Sequence, residues 1–177
     1  SAQLAGNMDR RALAPANAEI IRDWLPRLVD GSPDAIILII TNPVDSMVWA
    51  ALELTALPPE KVAGIGTLVD SARLRALISR KLQIHPDDIR AYVLGEHGNS
   101  QVPATSVASI GGVRLQEAEP EVWRFTEQVI NSGTDIVGLK GYTNFAVAKA
   151  TALVLDSIRH DHKKTLPLSV RLDDYYG

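Results

Sequence analysis

From Leu13 onward the apolar residues Ile20, Ile21, Trp24, Leu25, Leu28 and Val29 return every three or four positions, the spacing that lines one side of a helix. Gly31-Ser32-Pro33 ends the pattern with breaker residues. The stretch 35–40, Ala-Ile-Ile-Leu-Ile-Ile, is apolar without alternation, which predicts a strand buried on both faces of a parallel sheet, and Asn42-Pro43 closes it. A helix over 44–57, a loop at Pro58-Pro59 and a short strand over 62–66 follow, so the opening third reads αβαβ, half of a doubly wound α/β sheet.

Beyond this point the pattern turns to α+β. A helix is predicted over 71–82, a strand over 91–94 that stops at Gly95, and a hairpin turning at Gly111-Gly112. Helices over 120–130 and 143–160 and a last strand over 166–172 complete the reading. No repeat or low-complexity tract interrupts it. Both ends read as abrupt, with no helix after the final strand, as expected of a fragment. In such a fragment the apolar run at 36–40 is an unpaired sheet edge that invites aggregation or needs a partner to fold.

Composition narrows the function classes. In 177 residues, 46% apolar and 22% charged, there is enough material for one compact domain or two small ones. Eighteen Lys and Arg against twenty-one Asp and Glu give a net charge of −3, the wrong sign for binding nucleic acid. No apolar run approaches the ~20 residues of a membrane-spanning helix, and no signal peptide is recognisable, so a soluble, cytoplasmic protein is expected. The absence of cysteine removes disulfides, thiolate metal sites and cysteine nucleophiles.

Candidate chemistry gathers just past strand ends. In Gly95-Glu96-His97-Gly98-Asn99-Ser100, glycines flank a histidine able to move a proton near neutral pH, although a lone loop histidine also serves as a turn or packing residue. In Asp70-Ser71-Ala72-Arg73 the acid lies just ahead of a helix and the arginine about one turn in. The pair is either an N-cap with an exposed arginine or a carboxylate that orients an imidazole beside a guanidinium that grips a substrate carboxylate. His85 before Pro86 suits a helix start; His160-Asp161-His162 could bind a stray divalent ion, but its two-residue histidine spacing at a fraying helix end suits zinc poorly, so no metal is expected. No Gly-x-Ser-x-Gly motif supports a serine hydrolase. Gly64-Ile65-Gly66 lacks the third glycine of a pyrophosphate-binding turn.

Four ordered segments, Thr41-Asn42-Pro43-Val44-Asp45, 64–73 (Gly-Ile-Gly-Thr-Leu-Val-Asp-Ser-Ala-Arg), 94–100 and Lys140-Gly141-Tyr142-Thr143, resemble the L-2-hydroxyacid dehydrogenases of the lactate and malate dehydrogenase family. The resemblance runs from about Asp9 onward, without the family's preceding half and its Gly-rich phosphate turn. It implies the second half of a Rossmann-type dinucleotide-binding domain with a mobile loop over 1–64, an α+β substrate domain over 65–177, NAD as cofactor and a homo-oligomer, dimer or tetramer. By the same resemblance His97 is the proton donor and acceptor, Asp70 its orienting carboxylate, and Arg73 the anchor of the substrate carboxylate. Arg10 falls at the mobile-loop arginine that polarises the carbonyl. Asn42 touches nicotinamide and substrate, Thr143 lines the substrate pocket, Ile40 and Thr41 join the cofactor contacts, and Ile65 and Val147 pack around the nicotinamide ring.

The resemblance also bears on substrate and regulation. Malate enzymes carry a second arginine before the mobile-loop arginine; 1–9 holds none, and Gln3 and Leu4 lie nearest the selecting position. This implies a 2-oxo monocarboxylate with a small or branched apolar side chain, with malate as the alternative. Asn99, where lactate enzymes have aspartate, and the run Gly98-Asn99-Ser100-Gln101 resemble the branch acting on 2-hydroxyisocaproate. Arg75 and Arg90 match positions that bind an effector phosphate in sugar-phosphate-activated bacterial lactate dehydrogenases, or are solvated surface arginines. A rival reading takes the chain alone as a non-catalytic module that keeps the oligomerising and substrate-facing surfaces but cannot hold NAD.

Overall fold

The computed structural model describes residues 10–115, 124–173 and 175. They form two compact units, one from residues 10–66 with the return segment that begins at Leu168, the other from Thr67–Pro167. The sequence alone suggests a boundary at 64–65 with everything after it in the second domain, whereas the units divide after Gly66 and residues from Leu168 return to the first. The return segment joins the first unit because Ser169 and Gly64 exchange both backbone hydrogen bonds, at 2.8 and 3.0 Å.

In the first unit a turn of 3-10 helix at Arg10–Leu13 leads into helix α1, Ala14–Gly31. Its apolar positions divide into two rows offset by one residue around the helix. Ile21, Leu25 and Val29 pack inward, whereas Ile20, Trp24 and Leu28 remain exposed. Strand β1, Ile37–Ile39, pairs in parallel with β2, Val62–Gly64, and helix α2, Val44–Leu54, connects them. Val44, Met47, Val48 and Ala51 of α2 are buried with Leu25, Ile39 and Val62 in one apolar cluster.

The expected strand over 35–40 is corrected in length and burial. Among the described residues β1 has only β2 beside it, so Ile39 alone is buried, while Ile36 and Ile40 are 49% and 43% exposed. Likewise the strand expected over 166–172 is a single antiparallel bridge from Ser169 to Gly64. Gly64 is required by packing: a Cβ there would meet Val44 Cγ2 at 2.6 Å and Val48 Cγ2 at 2.8 Å. The Gly-Ile-Gly segment thus lets α2 approach β2 closely.

The second unit opens with helix α3, Leu68–Leu82, which ends at Gln83 in the left-handed region, φ 56°. A 3-10 turn at Pro86–Asp88 follows, and His85 stands at its start, as expected, with Nδ1 accepting from the Asp87 N–H. The strands are short: β3 at Ile89–Arg90, β4 at Val93–Leu94, β5 at Val102–Pro103, β6 at Ser109–Ile110 and β7 at Val113–Arg114. β4 pairs with β5, and β6 pairs with both β3 and β7, all antiparallel. Gly111 and Gly112, at φ 53° and 90°, make the predicted hairpin turn, whose two positive φ values only glycine adopts freely.

Helix α4, Phe125–Lys140, and helix α5, Phe145–Arg159, complete the unit. The start of the helix expected over 120–130 lies outside the described residues, and its end is corrected to Lys140. Asn131-Ser132-Gly133, three poor helix formers, is accommodated within the helix. Ser132 Oγ donates to the Val129 carbonyl at 2.8 Å, and Val129 and Gly133 are buried one turn apart. Leu74 and Ile78 of α3 form the centre of the core with Ile89, Ala91, Val93 and Val129.

Candidate active site

Helix α3 starts at Leu68, three residues earlier than the apolar spacing predicts. Asp70 therefore lies in its first turn, and no side-chain hydrogen bond caps the helix at Thr67. The capping reading of Asp70 is overturned. A negative charge in the first turn is favoured by the exposed N–H groups of the helix start. Arg73 follows at i+3 on the same face, and its Nη1 donates to Asp70 Oδ1 at 3.2 Å. Asp70 is 2% exposed, which makes such partners necessary for a carboxylate.

His97 supplies the second partner. Its Nδ1 lies 2.6 Å from Asp70 Oδ2, and the His97 and Arg73 side chains are 14% and 17% exposed. An ionised carboxylate only accepts, so beside one Nδ1 carries the proton and Nε2 is the ring nitrogen turned away from Asp70. Two of the residues that the ordered motifs single out, His97 and Arg73, are thus gathered on the buried carboxylate of a third, Asp70.

Backbone geometry holds His97 there. Ser71, fully buried one residue after Asp70, donates its hydroxyl to the Thr67 carbonyl at 2.8 Å and accepts the Val93 N–H at 2.9 Å. This clamps the first turn of α3 onto β4, the strand that delivers the chain to His97. Gly95 turns at φ 88°, Gly98 N–H donates to the Glu96 carbonyl, and Ser100 Oγ donates to Glu96 Oε2 at 2.6 Å, closing the loop on both sides of the imidazole. Sequence reasoning missed Ser71, because a serine beside a catalytic candidate carries no periodic signal.

The other candidates are distributed over both units. Ile40, Thr41, Asn42 and Ile65 belong to the first, at or just beyond the C-terminal ends of β1 and β2. Asn42 Oδ1 is buried with no hydrogen-bond partner, an acceptor placed where open α/β sheets bind ligands. Asn17, itself 1% exposed, donates Nδ2–H to the Asn42 carbonyl at 2.7 Å and fixes that segment. This support was also missed, although a lone asparagine on the inward row of an apolar helix was the signal. Arg10 is described by its backbone alone, and Gln3 and Leu4 lie outside the described residues.

In the second unit Thr143 is exposed and Val147 half-buried. The motif that contains Thr143 is ordered by Lys140, whose Nζ donates to Asn144 Oδ1 at 2.6 Å and sits 5.0 Å from the Tyr142 ring and 4.7 Å from the Phe145 ring. Arg75 donates to the Ala91 carbonyl at 3.2 Å, beside exposed Arg90, and burial holds its pKa below the ordinary arginine value. It lines a cavity of about 490 Å3 between α3 and α5, walled mainly by Leu68, Val69, Ala72, Ala150 and Leu153. Among the described residues no helix is long and apolar enough to cross a membrane.

Comparison with known proteins converges on one family. Residues 2–64 match the NAD-binding domain of lactate/malate dehydrogenases, and residues 67–177 match their α/β C-terminal domain. The chain is 36% identical to the L-lactate dehydrogenase of Gloeobacter violaceus, covering 95% of this chain and 54% of that protein. The L-lactate dehydrogenase B-B chain of Danio rerio is 36% identical over 95% of this chain and 53% of its own length. The chain spans about half the length of the curated relatives it matches. With an α/β fold that carries the family's motifs in order and brings three of their side chains together, the chain belongs to the lactate/malate dehydrogenase family.

Proposed function

We propose that this sequence serves an NAD-dependent L-2-hydroxyacid dehydrogenase, interconverting a 2-oxo monocarboxylic acid and its L-2-hydroxy acid. The observation that carries the reading is Asp70, buried and shared between His97 and Arg73. Reduction of a 2-oxo acid needs a grip on the carboxylate, a proton for the new hydroxyl and positive charge near an oxygen that turns negative. Arg73 suits the grip, since its planar fork binds a carboxylate through two parallel hydrogen bonds. His97 delivers the proton from Nε2, and Asp70 holds the ring and stabilises its protonated form in the reverse direction. Arg10 is proposed to polarise the carbonyl, a contribution of about 10² to 10³ in rate by analogy with oxyanion donors.

NAD, when bound, supplies and accepts the hydride. Residues Ile40, Thr41, Asn42, Ile65 and Val147 are proposed to hold it. The partnerless Asn42 Oδ1 supports this assignment, because a carboxamide N–H is the kind of donor it lacks. Thr143 is proposed as a further substrate contact. We further propose cytoplasmic location and homo-oligomeric assembly, consistent with exposed Trp24, Leu28 and Trp49. Light scattering that gives a monomer mass would remove the assembly proposal.

The proposed substrate side chain is apolar, lactate-sized or larger, because 1–9 lacks an arginine to pair with a second carboxylate. The relatives named L-lactate dehydrogenase favour the same side. Steady-state reduction of pyruvate, 4-methyl-2-oxopentanoate and oxaloacetate with NADH tests it. Monocarboxylates should show the higher kcat/KM, and a preference for oxaloacetate would move the protein to the malate branch. Arg75 and Arg90 remain proposed as an anion-binding pair for a sugar-phosphate effector. That idea fails if fructose 1,6-bisphosphate changes neither activity nor oligomeric state.

A further inference from the structure

At the end of α5 the chain builds a second aspartate with two basic partners, and here both are histidines. Asp156 and His160 stand four residues apart on one helix face, and His160 Nδ1 lies 3.0 Å from Asp156 Oδ1. Asp161 then takes the left-handed conformation, φ 49°, and the His162 N–H donates back to the Ser157 carbonyl at 3.0 Å. This reversal returns the His162 side chain to the helix end, with Nδ1 3.6 Å from Asp156 Oδ2. One ligand atom from each of the three residues lies within 4.8 Å of the other two.

Ordinary pairing accounts for only half of this cluster. His160 makes a hydrogen bond to the carboxylate, but 3.6 Å is too long for one from His162. The two imidazoles also stack, with centroids 5.4 Å apart and planes 20° from parallel, so protonating both would set like charges against each other. The aspartate between them in sequence does not contribute, because Asp161 Oδ1 pairs with Lys163 Nζ at 2.8 Å. What remains is two imidazole nitrogens turned toward the two oxygens of one carboxylate, all three side chains 37% to 51% exposed. Donors around a tetrahedral ion lie about 3.3 Å apart, given bonds of ~2.0–2.1 Å, so small rotations of exposed side chains suffice to close the set.

We propose that Asp156, His160 and His162 form a binding site for a borderline divalent transition ion such as Zn2+ or Ni2+, with water completing the coordination. Two imidazoles and one carboxylate suit these ions, and the hard ions Mg2+ and Ca2+ prefer all-oxygen sets. The bound ion clips the turn after α5 to the last turn of that helix and stabilises the folded chain by binding it preferentially. The two-residue histidine spacing suits zinc poorly when read alone, and the third ligand, Asp156, lies one helical turn upstream.

Isothermal titration of the full chain with Zn2+ and with Ni2+ tests the site, alongside H160A, H162A, D156N, D161N and H85A. All five positions are exposed, so the substitutions leave the cores intact. One saturable site per chain is expected in wild type, D161N and H85A, with binding weakened at least about tenfold in the other three. Added ion should also raise Tm in wild type and not in H160A or H162A. No saturable site in wild type, binding that survives removal of either histidine, or a loss in D161N equal to that in D156N would overturn the proposal.

Discussion

Asp70 and Asp156 each face two basic side chains, and each meets an imidazole through Nδ1, yet their surroundings assign them different chemistry. Asp70 sits in the first turn of α3, almost fully buried, with one oxygen for His97 and one for Arg73. Asp156 sits in the last turn of α5, half in solvent, with one oxygen for each of two stacked histidines. Its two hydrogen-bonded partners hold the first carboxylate in one buried position, where it can orient an imidazole. Exposure leaves the second weakly coupled to its partners and accessible to an ion. The same pair of residue types thus supports the proposed proton relay at one helix start and the proposed ligand set at another helix end.

The sharpest way to break this contrast is to remove each histidine in turn. His97→Gln should lower kcat by about 10² to 10⁴, the usual contribution of a positioned acid or base, whereas His160→Gln should leave turnover unchanged. Steady-state assays of both variants decide it, and equal effects would dissolve the distinction.

Stability separates the two aspartates next. Asp70→Asn strands Arg73 beside a neutral amide in a buried site and should cost about 3–5 kcal/mol in urea unfolding. Asp156→Asn should stay within about 0.5 kcal/mol of wild type in the absence of metal, as expected of exposed pairs. A smaller effect concerns the clamp that keeps Asp70 and His97 in register. Ser71→Ala leaves the buried Val93 N–H without its acceptor and should cost about 1–3 kcal/mol, with kcat falling more than KM changes. Ser157→Ala, beside Asp156, removes a buried hydroxyl that bonds to nothing and should be near neutral. The smallest effect is ionic: 1 M salt should weaken the Asp156 pairs and leave the Asp70 contacts intact, which histidine NMR shifts can follow.

Sequence legibility followed the same division. His97, Asp70 and Arg73 were recognisable because ordered motifs carry them, and the structure brings His97 and Arg73 onto the Asp70 carboxylate. The alternation of helices and strands in the opening third was legible from periodicity, and so was the Gly111-Gly112 hairpin from its turn chemistry. What periodicity could not show was which apolar residues find partners: Ile36 and Ile40 belong to a strand-like run but stay exposed, since pairing is a tertiary fact. The length of α4 was hidden by Asn131-Ser132-Gly133, three poor helix formers that packing and a local hydrogen bond retain. Ser71, Asn17 and Asp156 were missed for a common reason. Each acts on a residue distant in sequence or across a helical turn, and composition at one position does not record its partner.

The central claim is that Arg73, His97 and Asp70 together form the substrate site. Titration with NADH in the presence and absence of oxamate, a pyruvate mimic, tests it most directly when wild type is compared with Arg73→Leu and Asp156→Asn. The account predicts oxamate-dependent quenching of nicotinamide fluorescence in wild type and Asp156→Asn, and its loss in Arg73→Leu. Oxamate-dependent binding that survives Arg73→Leu, or that never occurs in folded wild-type protein, would contradict it.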